Sequence, residues 1–384
     1  MQKRWLILAV LTFSRTAMGF QFQSVAASSP LLIEHFQFGY ALLGTLIGLY
    51  LFPGVAVAIP GGLLAQRFGD KHLLLGGLAA MAIGGVLMGL TDNVAALIGG
   101  RVLSGVGGVI VNVLTTKMLT DWFADRETAT AFGVLVISWP LGIAAALVVL
   151  PPLNAATSWH SAMLVPAVLC LIALLLIALI YRASDPVANQ PRGTLQFNLT
   201  RREVLLVSVA GLVWTFYNGA FIIVPAFGPA FAVTSGLSPA AAGAIVSTMT
   251  WLVIPAVPLS AWLAAKLGRV DLALYTSFAC ATLALVLLAL TGPSLPLFAL
   301  IGIAFAPPGG LIMTLPGEAL RPEHRALGMG VYLTWYYAGM GVLPAVAGLA
   351  RDLTGSASTP LWFAVLLLGA AAAALLQFRI LQTR

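Results

Sequence analysis

Apolar positions in this chain neither alternate nor form stripes; they come in long runs split by short polar breaks. Twelve runs stand out, each near the ~20 residues that carry a helix across a bilayer. In the first half they cover roughly 5–33, 41–66, 73–91, 94–118, 128–151 and 160–182. In the second half they cover roughly 203–230, 239–265, 271–291, 294–317, 326–350 and 359–380. Runs this long exceed the ~9–11 residues of a barrel strand, so the pattern predicts helices. The expected fold class is therefore an all-α integral membrane protein with about twelve transmembrane helices in two pseudo-symmetric six-helix bundles. The bundles would be residues 1–182 and 203–384, joined by a polar linker at 183–202 that carries Pro191-Arg192-Gly193 and Arg201-Arg202.

Composition agrees with the pattern. The 384 residues are 60% hydrophobic and 8% charged, against about 25% charged in soluble domains. A net charge of +7 could suggest nucleic acid, but the positions of the charges explain it better. If both termini are cytoplasmic, all but three of the 19 Lys and Arg fall in cytoplasmic loops or ends; Arg351 is outside, and Arg15 and Arg101 lie within spans. That asymmetry is the positive-inside pattern of a multi-pass inner (plasma) membrane protein, and no nucleic-acid partner is expected. Cys170 and Cys280 both sit in apolar runs and read as packing residues rather than a disulfide framework. The first apolar run is too long for a cleavable signal peptide.

The halves repeat. The break Gly62-x3-Gln66-Arg67-Phe68-Gly69-Asp70-Lys71 closes the second run, and Ala261-x3-Ala265-Lys266-Leu267-Gly268 closes the eighth. Six plus six spans around a central linker suit a transporter of two related bundles, with its site between the halves near the midplane. The first break resembles the Gly-x3-Asp-Arg-x-Gly-x-Arg/Lys signature of the major facilitator superfamily, matching at Gly62, Arg67, Gly69 and Lys71 and departing at Gln66, where the family usually has an acid. Arg101, Gly105 and Gly107 resemble a second signature of that family, Arg-x3-Gly-x-Gly in the fourth helix. The resemblance spans essentially the whole chain. It implies transport by alternating access, with Gly62, Gln66, Arg67, Gly69 and Lys71 in a cytoplasmic gate loop. The stretch Asn112 to Glu127 and Ser138-Trp139-Pro140-Leu141-Gly142 are similar to porters of small anions such as cyanate or nitrate/nitrite; the glycine-rich nitrate signature of the fifth helix is absent, which argues against nitrate itself.

Candidate substrate-binding residues follow from depth and chemistry. Arg15 lies about ten residues into the first span, roughly 15 Å deep at ~1.5 Å per residue. A lone arginine there costs at least ~2.5–3.5 kcal/mol unless it meets a cavity or partner, so it reads as an anion-binding cation. Gly19 and Gln23 follow on the same face and add space and an amide. Arg101 shares a face with Gly105, Gly108 and Asn112; it either attracts the anion or braces the first helix against the fourth. Trp214, Tyr217 and Asn218 in the seventh span, Tyr332, Trp335 and Tyr336 in the eleventh, and Tyr50 and Trp139 in the first half are cavity candidates, with packing or interface anchoring as the competing reading. Pro307-Pro308-Gly309-Gly310 is the best candidate for a broken helix.

All acids, and all four histidines, fall at span ends or in loops. Proton-driven carriers commonly hold one inside the membrane. Exchange, facilitated movement, or symport in which the anion itself recruits the proton all fit. No metal spacing, nucleophile motif or nucleotide loop stands out, so neither enzymatic activity nor a cofactor is expected. The leading expectation is a monomeric transporter of a small anion in the lipid bilayer. The alternatives are an exporter of apolar drug-like compounds and a membrane sensor.

Overall fold

A computed structural model describes residues 2–57, 67–123, 127–181, 199–321 and 324–383. Its helices are α1 (Gln2–Ala27), α2 (Ser29–Phe36), α3 (Tyr40–Gly48), α4 (Asp70–Gly89), α5 (Val94–Phe123), α6 (Thr128–Ala156), α7 (Trp159–Ile180), α8 (Arg201–Thr234), α9 (Pro239–Leu267), α10 (Val270–Thr291), α11 (Leu295–Leu311), α12 (Leu315–Ala319), α13 (Arg325–Thr354) and α14 (Thr359–Thr383). There are no strands among the described residues. Eleven helices among the described residues are long and apolar enough to cross a membrane. In lipid every backbone N–H and C=O must be satisfied within its own segment, and a helix does this. Outward side chains such as Leu179, 79% exposed, and Leu353, 79% exposed, would be costly in water and suit acyl chains.

Three expected spans are interrupted, each for a local reason. The run 5–33 divides at Ser28, where Pro30 sits in the first turn of α2. Pro is favoured at a helix start and disfavoured inside one. The run 41–66 stops as α3 at Gly48, turns through 49–53 at Pro53 and resumes helical at 54–57; its remainder lies outside the described residues. The run 294–317 bends at a 3₁₀ turn, Ile312–Thr314, before α12. That bend corrects the expected break at Pro307-Pro308-Gly309-Gly310, because α11 continues to Leu311. Two missing N–H groups loosen the helix without ending it, and the backbone tightens one turn later.

The chain forms two compact units, Met1–Phe38 with Leu49–Gly193, and Gly39–Gly48 with Thr194–Arg384. Their internal packing follows one pattern. In the first unit α1 packs on α6 and α7, and α4 packs on α5 and α7. In the second α8 packs on α13 and α14, and α10 packs on α11 and α14. First-with-fifth, first-with-sixth, third-with-fourth and third-with-sixth contacts thus occur in both units. The repeated loops match too: Gly69 (φ 80°) precedes α4 and Gly268 (φ 63°) closes α9, a backbone region that favours glycine.

Segment 39–48 packs with the second unit although the sequence places it in the first half. Its partner is α13. A Cβ on Gly44, Gly48 or Gly348 would run into the backbone carbonyl of Pro344, Gly341 or Tyr40 respectively, so α3 and α13 touch backbone to backbone. Asp352 accepts hydrogen bonds from the Tyr40 and Ala41 N–H groups, both at 2.8 Å, which satisfies the exposed start of α3. Arg351 lies over the Tyr40 ring at 3.4 Å.

Candidate functional site

In the first unit the polar residues centre on α1. Arg101 is 0% exposed. Its guanidinium donates to the Gln21 carbonyl (3.0 Å) and the Phe22 carbonyl (2.7 Å), and it sits 4.5 Å from the Tyr50 ring centre and 5.7 Å from that of Phe22. Charge-assisted bonds and two aromatic faces offset its desolvation. Tyr50 is fully buried, with its hydroxyl 3.3 Å from both the Met18 carbonyl and Gln21 Oε1. Gln21 Nε2 in turn donates to the Met81 carbonyl at 2.8 Å, tying α1 to α4. Gln21 and Phe22 did not stand out in the sequence reading, which singled out Gln23; two amides inside one apolar run were the available signal.

Arg15 lies on α1 and is half-buried, and Gln23 is buried. Both are engaged by neighbouring groups. The flanking hydroxyls of Ser14 and Thr16 donate back to the Val10 and Thr12 carbonyls, each at 2.9 Å, so their protons are committed to α1 itself. The space expected at Gly19 is filled by α6: a Cβ there would lie 2.6 Å from the Trp139 carbonyl oxygen. Trp139 is half-buried, its ring 5.1 Å from that of Phe22. Asn112 is half-buried on α5, and its carbonyl accepts from the Thr116 hydroxyl at 2.9 Å. Gly105 and Gly108 receive the 49–50 turn and the Tyr50 ring.

In the second unit α8 and α13 carry an aromatic cluster. The Trp214 ring lies 5.7 Å from Tyr217, 6.4 Å from Tyr332 and 6.1 Å from Tyr336. The Tyr217 hydroxyl donates to the Phe305 carbonyl at 2.7 Å, beside Pro307 and Pro308 on α11. The Tyr332 hydroxyl is 3.6 Å from Met313 Sδ. Asn218 Nδ2 donates to the Trp214 carbonyl at 2.8 Å, which leaves its oxygen to accept. Trp335 is 41% exposed. Such a cluster stacks flat or apolar groups and offers hydroxyls for orientation.

Of the residues expected in a gate loop, Gly62 and Gln66 lie outside the described residues. Arg67 is exposed and rests on Phe68, 5.6 Å from the ring centre. Lys71 donates to the Ala178 and Tyr181 carbonyls, both 2.8 Å, and so caps the end of α7 where the helix dipole favours a cation. Asp70 pairs with Lys117 at 2.6 Å. At the repeated position Asp271 pairs with Arg379, also at 2.6 Å. No cluster of three His, Cys, Asp or Glu side chains that could hold a metal occurs among the described residues.

Solved structures share this fold. A crystal structure of the nucleoside transporter NupG is similar over 98% of this chain and 99% of its own, with TM-score 0.77 and 16% identity. A peptide transporter POT in complex with sulfate is similar over 97% and 94%, with TM-score 0.73 and 15% identity. A POT family transporter in complex with 5-aminolevulinic acid is similar over 97% and 96%, with TM-score 0.73 and 12% identity. None of the curated proteins matches the sequence. The family model described as Major Facilitator Superfamily matches residues 9–344. With that match over most of its length and a fold shared with solved transporters, the chain belongs to the Major Facilitator Superfamily.

Proposed function

We propose that the protein is a secondary active or facilitative transporter that moves a small anion across the inner (plasma) membrane by alternating access, as a monomer with both termini cytoplasmic. One observation carries the anion: the two arginines buried in apolar helices differ. Arg101 is fully enclosed and donates to α1 carbonyls, which supports the bracing reading for it. Arg15 is half-buried at mid-length of α1, a depth at which intramembrane cations commonly serve a solute path. Gln23 and Asn112 are amide contacts for the same solute, and Tyr50 and Trp139 shape the surroundings. Arg67, Gly69 and Lys71, with Gly62 and Gln66, form the gate loop. The skew of Lys and Arg toward one set of loops supports the orientation. The solved relatives carry nucleosides and peptides by name; at such low identity they leave the solute to be decided by the site.

The test is a thermal-shift and flux screen of small anions on purified protein, with Arg15→Gln as control. The expected outcome is at least a tenfold loss of anion affinity in Arg15→Gln with the fold intact. Unchanged affinity removes Arg15 from the site. A second reading, export of apolar compounds, rests on the Trp214–Tyr332–Tyr336 cluster. It predicts dye efflux lost in Trp214→Ala and unaffected by Arg15→Gln.

A further inference from the structure

A second polar site lies at one end of the second unit. The first turn of α8, the end of α12 and the last turn of α14 border an open cavity of about 430 Å³ whose polar lining is Thr200, Arg202, Glu203, Glu318, Arg321 and Gln382. In a chain with so few charges, four ionised side chains around one cavity call for a reason.

The two acids are largely engaged within the protein. Glu203 Oε2 accepts from the Thr200 N–H and hydroxyl, both at 2.9 Å, in a capping box that starts α8. Its Oε1 accepts from His324 Nδ1 at 2.9 Å and from the Arg321 N–H at 3.4 Å. Glu318 Oε2 accepts from Arg379 at 2.5 Å and from Gln382 Nε2 at 3.2 Å. The bases are not engaged to the same degree. Arg202 donates from one terminal nitrogen to the Gln382 carbonyl at 3.2 Å. Among the described residues the Arg321 guanidinium makes no hydrogen bond or ion pair; only its backbone N–H is used. Among the described residues, two guanidinium groups therefore bring unspent donors to a concave polar cavity whose carboxylates are largely met.

We propose that this cavity binds a phosphate ester, held between the Arg202 and Arg321 side chains. Guanidinium groups match phosphate oxygens with paired N–H donors. The cavity sits at helix ends, where a bilayer meets water, and basic pockets between helices at that level receive lipid head groups. A soluble phosphate ester has the same chemistry. Glu318 Oε1, beside them, would accept from a hydroxyl or ammonium on the same ligand.

The experiment uses the full chain in phosphatidylcholine nanodiscs with and without phosphatidylglycerol, and in detergent with sodium phosphate. Binding is read by native mass spectrometry and by thermal shift. Wild-type protein is expected to retain phosphatidylglycerol, or to bind phosphate, and to be stabilised by it. Retention of the lipid with no response to phosphate assigns the site to a membrane head group; a phosphate response assigns it to a soluble ester. The variant carrying Arg202→Gln and Arg321→Gln is expected to lose at least tenfold in affinity. Because Arg202→Gln also releases the end of α14, Arg321→Gln alone, which keeps the Glu203 bond, is measured beside it and is expected to weaken binding severalfold with an unchanged unliganded melting temperature. Equal affinity in all variants, or no binding of either probe, overturns the proposal.

Discussion

Two arginines in apolar helices show how far one residue type can diverge. Arg101 donates to two carbonyls and lies against two rings, as the bracing reading proposed for it requires. Replacing it with Met is expected to cost about 3 kcal/mol, since a hydrogen bond to a charged group contributes roughly 1.5–3 kcal/mol and the Tyr50 ring loses the cation that faces it. The check is the melting temperature in detergent; a variant as stable as wild type would remove the brace. Tyr217→Phe is expected to cost about 1 kcal/mol through the lost bond to Phe305. From sequence, the depth of Arg15 and Arg101 was legible because a charge in an apolar run stands out. Their different surroundings were not, because these depend on which carbonyls lie across the helix interface, and spacing along one helix says nothing of that. Gln21 was missed for the same reason.

At the scale of elements, glycines decide how closely helices approach, and neighbouring glycines differ sharply. A Cβ on Gly100 would lie 2.7 Å from the Gly84 carbonyl oxygen, whereas a Cβ on Gly99 would meet nothing within 4 Å. Gly99→Ala is therefore expected to be neutral or to stabilise by up to ~1 kcal/mol through helix propensity, while Gly100→Leu pushes α4 from α5 and lowers the melting temperature. Similar melting temperatures for the two variants would contradict this packing. The same contrast holds at Gly76, which is open, and Gly77, 2.9 Å from Ile110. Apolar runs made the spans legible, and Pro30 and Pro53 carried the signal for two of the three interruptions. The bend at Ile312–Thr314 was displaced from its prolines because a helix tolerates two absent donors when its neighbours hold it.

At the scale of the molecule, the two-fold repeat was legible from the paired loops, and equivalent helix pairs in both units carry it into packing. The absence of acids from the interior of the apolar runs belongs here as well. If the proton is not held by a protein carboxylate, Glu203→Gln and Asp70→Asn should leave the dependence of flux on a pH gradient unchanged in liposomes; loss of that dependence in either variant would identify the coupling group. What the sequence hid was the allegiance of residues 39–48, since contacts with α13 bridge a separation of 311 residues. That separation has a consequence in time. At roughly 5–20 residues per second of synthesis, α3 leaves the ribosome about 15–60 s before Asp352 exists to receive its N–H groups. The newborn chain must hold a short, glycine-faced helix unburied through most of its own translation, the kind of long-range closure that slows folding. Asp352→Asn is expected to prolong the protease sensitivity of segment 39–48 in pulse-chase synthesis, and an unchanged chase would place the closing step elsewhere. The next-to-last span to be made, on this view, is the one that finishes folding one of the first.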